Sequence, residues 1–343
     1  MPGITQRIRS MPLLWQARLP DHVIGLAYRA DGALVAAAAV SGPIYILRAV
    51  DGKPHAQFAG HGFGTTALSW NTDGDLLASV GQDGKVHVWD VGRKALAWSA
   101  DAPASWAERV CWSPDGTILA VAAGKFVRLW EHTGKLLKTY GPHSSTVLDI
   151  AWKPATRQLA ATSYARVTLW DADRAEPARV YQWQGSSLAL AWSPDGRYLA
   201  TGDQDATVHF WLTETGRDYM MSGYPRKVKE LSWDASGRWL ATGGGSQACV
   251  WDCSPPGPKD REPLILEAHD RSLTALVYQH RRELLATGGQ EGRITIWRPA
   301  RSTHAISTTG EGPAITQLAW LPDDKTLFAG DETGGIRLFQ VLE

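Results

Sequence analysis

The strongest constraint on this chain is a recurrence. An apolar–aromatic pair followed by a polar turn is written eight times: AYRADG, SWNTDG, CWSPDG, AWKPAT, AWSPDG, SWDASG, VYQHRR and AWLPDD. The aromatics are Tyr28, Trp70, Trp112, Trp152, Trp192, Trp233, Tyr278 and Trp320, at spacings of 42, 42, 40, 40, 41, 45 and 42 residues. A period of about 40 residues held over the whole length signals a repeat architecture rather than two ordinary domains.

Each unit reads alike. A short strand ends at the aromatic, and a turn such as Pro-Asp-Gly follows. Next comes a strand of small residues, such as Leu76–Ser79 or Leu284–Thr287, then a second Gly/Asp turn. A third strand ends in Trp (VHVW, VRLW, VTLW, VHFW, ACVW, ITIW), and a more polar fourth strand precedes the next unit. The second and third strands are apolar on both faces, as sheets packed on both sides require. A four-stranded unit of this length, repeated and stacked, is the signature of a propeller blade. The last unit stops after three strands, and an extra strand, Leu13 to Leu19, precedes the first unit. That leading strand supplies the missing outer strand and removes a bare sheet edge. The expected fold is all-β: an eight-bladed propeller over residues 13–343, closed by its N-terminal strand, behind a tail over residues 1–12. A seven-bladed ring with one stray unit is the alternative.

The chain resembles the WD-repeat β-propeller family from about Leu13 to the C-terminus. The resemblance rests on Gly60–His61 and on the Trp-Asp pairs Trp89–Asp90, Trp170–Asp171 and Trp251–Asp252. It implies a structural network of His, Ser/Thr, turn Asp and Trp: His61, Ser79, Asp83 and Trp89 in unit two, and His269, Thr287, Glu291 and Trp297 in unit seven. Units one and eight depart, with Leu47 and Phe339 in the Trp place. Units three, four and six have shorter turns without the Asp, and their blades are expected to be looser.

Chemistry is sparse. His61, His143 and His269 each stand nine residues before their unit's aromatic. They therefore fall in separate blades and do not converge on one metal ion; His22 is off that register. Cys249 and Cys253 lack nearby His and read as buried thiols. No nucleophile elbow, zinc-protease motif, dinucleotide fingerprint or P-loop is present. GGGSQ at residues 243–247 has no helix after it to receive a phosphate, and Asp203, Asp205, Asp331 and Glu332 read as turn formers. No catalytic residue, cofactor or metal is expected.

What remains is surface. Residues six and seven before each aromatic are expected around one mouth of the channel. They offer Phe63, Trp106, Arg226, Lys227 and Arg271, with Tyr164 and Arg166 in a turn on the same rim. Aromatic and Arg anchors of this kind are each worth about 2 kcal/mol when a partner buries them. The insert SPPGPKDREP, residues 254–263, is expected to be a mobile loop on the opposite face. The function expected is non-catalytic: a scaffold binding a protein or peptide, acidic in character, on that rim. The alternative is an enzyme, or a receptor for a small ligand or metal, using the wide channel of an eight-bladed ring. Lys+Arg and Asp+Glu balance at 35 each, which argues against nucleic acid or an anionic membrane as partner. Three cysteines and an N-terminus without an apolar core point to a cytoplasmic protein of unstated oligomeric state.

Overall fold

The computed structural model describes residues 8–255 and 257–342. The regular elements among them are strands, in seven four-stranded sheets and one five-stranded sheet. In each sheet four strands pair antiparallel from an inner to an outer edge. Blade two is typical: Thr65–Trp70, Leu76–Gly81, Lys85–Asp90 and Ala95–Asp101. The Pro-Asp-Gly turns follow from local chemistry. In CWSPDG, Gly116 sits at φ 70°, which favours glycine, and its amide donates to the Ser113 carbonyl at 2.8 Å. Asp115 Oδ1 accepts from the Thr117 amide at 3.1 Å and from the Ser113 hydroxyl at 2.6 Å, so the side chain locks the reversal.

The blades form a ring of eight. Leu13–Arg18 pairs antiparallel with Gly335–Gln340 as the outer strand of blade eight. Blade eight also ties directly to blade one: Thr316 Oγ1 donates to the Val23 carbonyl at 2.7 Å, and Gln317 Nε2 to the Ile24 carbonyl at 3.1 Å. The seven-bladed count is thereby excluded. The N-terminal segment does more than close the ring. Arg9–Ser10 pairs in parallel with Ser302–Thr308 on the edge of blade seven, and Met11 is buried between the two blades. Part of the stretch read as a tail is therefore built into the ring.

The core lies between blades, in eight clusters. Second strands such as Leu34–Ala39 and Ile118–Ala123 are buried along their whole length, as two-sided packing demands. The inner tryptophans carry a bond invisible in the pattern. Trp70 Nε1 donates to the Ala27 carbonyl at 3.1 Å, Trp152 to Cys111 at 3.2 Å and Trp320 to Val277 at 3.0 Å. Trp112, Trp192 and Trp233 do the same to Ser69, Ala151 and Ala191. Each acceptor is the residue before the previous blade's aromatic, so one indole bridges each of these junctions.

Among the described residues of the blade six insert, Arg261 Nη1 donates to the Asp252 carbonyl and to Ser254 Oγ, both at 2.9 Å. Gly257 and Pro258 are buried, Gly257 against Tyr219 and Phe210 of blade five. These contacts pack part of the loop against blade five and the end of the third strand. Pro256 lies outside the described residues.

Candidate functional site

One face of the ring carries the loops that enter the inner strands together with the turns joining second and third strands. A repeated backbone bond clasps the two. The amides of Val40, Gln82, Gln204, Gln290 and Glu332 donate to the carbonyls of His22, Gly64, Ser186, Ser272 and Ala314 at 2.9–3.0 Å. Those acceptors are the residues six before the aromatics of blades one, two, five, seven and eight, which puts them on this face where the chain enters the inner strands.

Within blade two the loop is pinned by a buried chain of hydrogen bonds. Trp89 Nε1 donates to Ser79 Oγ at 2.9 Å, Ser79 meets His61 Nε2 at 2.8 Å, and His61 Nδ1 meets Asp83 Oδ1 at 2.9 Å. One tautomer satisfies every group: Ser79 donates to Nε2, and the Nδ1 proton goes to the carboxylate. Burial holds the His61 imidazole below its ordinary pKa despite Asp83 beside it, in keeping with that neutral ring. Blade seven repeats the chain, with Trp297 Nε1 and His269 Nε2 each 2.8 Å from Thr287 Oγ1, and Glu291 on His269 Nδ1.

Two of the three blades expected to be looser have other ties. In blade four Trp170 Nε1 donates directly to His143 Nε2 at 3.2 Å. In blade six Trp251 Nε1 donates to the Tyr224 hydroxyl, which meets Thr242 Oγ1, both at 2.9 Å. Tyr224 stands nine residues before its aromatic, in the slot that holds His in blades two, four and seven. The register carries the signal, although the residue type differs.

Three large rings stand out in solvent on this face: Phe63 is 87% exposed, Trp106 54% and Tyr164 56%. Phe63 adopts φ 65°, in the left-handed region that a bulky residue avoids. The hairpin around it is clamped by the Gly62 amide donating to Asp83 Oδ2 at 3.0 Å. Tyr164 is fixed through its backbone, its amide donating to Ser145 Oγ at 2.7 Å and its carbonyl accepting from Ser144 Oγ at 2.6 Å. Arg226, Lys227 and Arg271 are exposed. Arg271 borders a cleft of about 490 Å³ at the channel mouth, shared with His22 and Glu332 of blades one and eight. Arg166 differs: it opens the strand Arg166–Asp171, is only partly exposed, and has its Nε buried without a hydrogen bond.

The channel wall offers one conspicuous acid. Asp149 accepts from Arg109 Nε at 3.1 Å, the Leu190 amide at 2.9 Å and its neighbour Ile150 at 3.1 Å. Its carboxyl is pushed up by burial, against the opposing pull of Arg109. These bonds join blades three, four and five, so its oxygens are occupied by architecture. Two of the turn acids behave likewise: Asp331 Oδ1 accepts from the Thr333 and Gly335 amides at 2.9 and 2.8 Å, and Asp205 Oδ1 accepts from Thr207 Oγ1 at 3.0 Å, whereas Asp203 Oδ1 is buried without a partner. Among the described residues no three His, Cys, Asp or Glu side chains are placed to hold a metal ion. The cysteines are free thiols; burial pushes Cys249 up to about 11, and Cys111 and Cys253 higher still.

Comparison with solved structures agrees with the architecture. The designed Ika8 protein superposes with a TM-score of 0.84 at 21% identity, and Sqt1 of Saccharomyces cerevisiae with 0.83 at 15%; each comparison covers 97% of this chain and 100% of the other. Among curated proteins, periodic tryptophan protein 2 of Arabidopsis thaliana is 26% identical over 60% of this chain and 24% of its own length. Telomerase protein component 1 of Mus musculus is 24% identical over 92% of this chain but 10% of its own length. Cell division cycle 20.1, cofactor of APC complex, of Arabidopsis thaliana is 27% identical over 50% of this chain and 41% of its own length. The chain thus spans less than half the length of these relatives. The WD domain, G-beta repeat matches residues 52–90, 104–131, 134–171, 177–211, 218–252 and 261–298. Those stretches end with the third strands of blades two to seven, and the two blades outside them are those with Leu47 and Phe339 in the Trp place. The matches cover more than half of the sequence, and the chain belongs to the WD domain, G-beta repeat family.

Proposed function

We propose that this chain is a non-catalytic interaction platform that binds a protein or peptide segment of acidic character on the face carrying Phe63, Trp106, Tyr164, Arg226, Lys227 and Arg271. The observation that carries the reading is Phe63. Its ring is held in solvent on a hairpin whose left-handed backbone costs about 1–3 kcal/mol, and it fills no part of the core. A clamped, exposed aromatic on a rigid ring loses little further freedom when a partner covers it. Trp106 adds a second such ring, and Arg226, Lys227 and Arg271 make no ion pair among the described residues. The reading is in keeping with relatives whose names place them in assemblies, telomerase and the APC complex. Asp149, Asp205 and Asp331 are each held in hydrogen bonds that serve the architecture.

The test is affinity capture from lysate with the wild-type chain and with Trp106→Ala/Arg226→Ala/Arg271→Ala. These side chains lie outside the buried networks, so the thermal midpoint stays within about 2 °C while the specific partner is lost. Equal capture by the two proteins rejects this face.

A further inference from the structure

Resting on that reading, we propose that blade six holds the specificity pocket: a crevice that takes one aromatic or long aliphatic side chain from an extended acidic segment. The crevice has a volume of about 220 Å³ and lies between Tyr224–Pro225, the turn Gly243–Gly245, Cys249 and Ile265, with Trp251 at its base.

Its origin is a joint difference from blade two at the turn and on the third strand. Blade two, built as Gly81–Gln82–Asp83–Gly84, drops Asp83 onto His61, and the His61 ring stacks on His87 at 4.4 Å. In blade six the turn is one residue shorter and carries no carboxylate, and Cys249 occupies the place of His87, two before the Trp. A turn side chain and an imidazole are both missing, and nothing else fills the space.

Volume and chemistry define the guest. At about 30 Å³ per water the crevice holds about seven waters, and it falls below the roughly 300 Å³ at which sites for whole small molecules begin. One large side chain fits. The polar atoms at the base are already used: Trp251 Nε1 on the Tyr224 hydroxyl, and that hydroxyl on Thr242. A polar guest would lose its hydration there without finding a partner, whereas ring faces and a neutral thiol accept an apolar one. Two exposed cations stand beside one wall of the mouth. The Arg226 amide is clasped by the Gly244 carbonyl at 3.0 Å, so Arg226 and Lys227 project from the loop that forms one wall. Glu267, on the outer strand, is engaged by Gln247 at 2.6 Å. An apolar residue next to Asp or Glu in an extended chain meets both features at once.

The experiment is selection of displayed random peptides on the whole protein, followed by anisotropy binding of the enriched peptides to variants. The expected peptides carry one aromatic or long aliphatic residue beside acids. Changing that residue to Ala weakens binding about tenfold or more, the loss of one buried apolar side chain. Cys249→His, which installs the residue blade two has there, removes the preference for the apolar residue. Arg226→Ala/Lys227→Ala weakens both peptides alike. Because Cys249→His could disturb the blade, a second reading uses the unaltered chain: a bound peptide protects Cys249 from iodoacetamide in alkaline buffer, measured by mass mapping. Peptides insensitive to Cys249→His that leave Cys249 unprotected, yet are lost with Trp106→Ala/Arg226→Ala/Arg271→Ala, overturn the pocket and keep the binding face. Peptides indifferent to every one of these substitutions overturn both, and enrichment of basic or wholly polar peptides overturns the pocket's assigned chemistry.

Discussion

Replacing Asp203 with Asn isolates a buried charge in blade five. Asp203 ends the strand Tyr198–Asp203 and is fully buried. It stands in the slot held by Asp331 in blade eight, two residues past the small residue of the second strand. Asp331 has backbone amides to receive. Asp203 Oδ1 has no partner at hydrogen-bond geometry, Oδ2 makes a 3.4 Å contact with Thr207 Oγ1, a hydroxyl closer to Asp205 at 3.0 Å, and the nearby Ser187 and Thr201 hydroxyls offset burial only in part. Burial therefore pushes the Asp203 carboxyl up to about 7, from an ordinary 3.8. The folded state binds this proton more tightly than the unfolded chain does. The stabilisation is complete below about pH 4 and is lost as pH rises through about 7. At 1.36 kcal/mol per pKa unit the loss sums to about 4 kcal/mol. With an unfolding entropy of about 2.1 cal/mol/K per residue, that corresponds to about 6 °C for this chain. Asn never ionises, so Asp203→Asn melts higher than wild type above pH 7, by up to about 6 °C, and the gap closes towards pH 4. The buried imidazole of His209, whose pKa burial lowers, titrates in the opposite sense but is common to both proteins. Melting curves from pH 4 to 9 by circular dichroism measure the difference, and parallel profiles would show that the carboxylate is hydrated or paired.

Two further substitutions test the ring. Ser79→Ala strands Trp89 Nε1 and His61 Nε2 inside blade two; about 3 kcal/mol is lost in denaturant titration, and a loss under 1 kcal/mol would mean that water reaches the network. Trp15→Ala removes an indole that donates to the Ala49 carbonyl at 2.8 Å and meets Phe328 edge-on at 5.3 Å. The half-buried ring costs about 2 kcal/mol, and hydrogen exchange should quicken in blades eight and one first; uniform quickening would deny the seam a special weakness.

Blade number and closure were legible because both depend on side chains at fixed spacing: an aromatic in every unit, three strands at one end and one at the other. The inner indole bonds were hidden because their acceptors are backbone carbonyls, which leave no mark on residue type. The Arg9–Ser10 strand was hidden for a related reason, since two residues pairing along an edge show no alternation. The short turn of blade six was visible, but its consequence was not. A missing Asp reads as a weaker blade until Tyr224 is seen holding Trp251, and then the missing bulk becomes a cavity instead. For the rim, spacing reached the loops but not exposure: Phe63 stands clear of the surface, whereas Arg166 is drawn partly inside by pairing with Ser163 and Gln182.

A closed repeat lets architecture and adaptation be separated position by position, because every slot has seven comparators in the same molecule. Leu47 and Phe339 break the Trp column, yet both flank the seam. There Trp15 stands opposite Leu338 as Trp98 stands opposite Val88, and each donates to the next blade's carbonyl, Ala49 and His132, at 2.8 Å. That departure is compensated within the core and needs no partner to explain it. Blade six shares its short turn with blades three and four but couples it with Cys249 and leaves the space open, beside Arg226 and Lys227, which make no ion pair among the described residues. Uncompensated departures from an otherwise consistent pattern are expected where function has displaced packing, and on that ground blade six outranks the seam as the place to look for recognition.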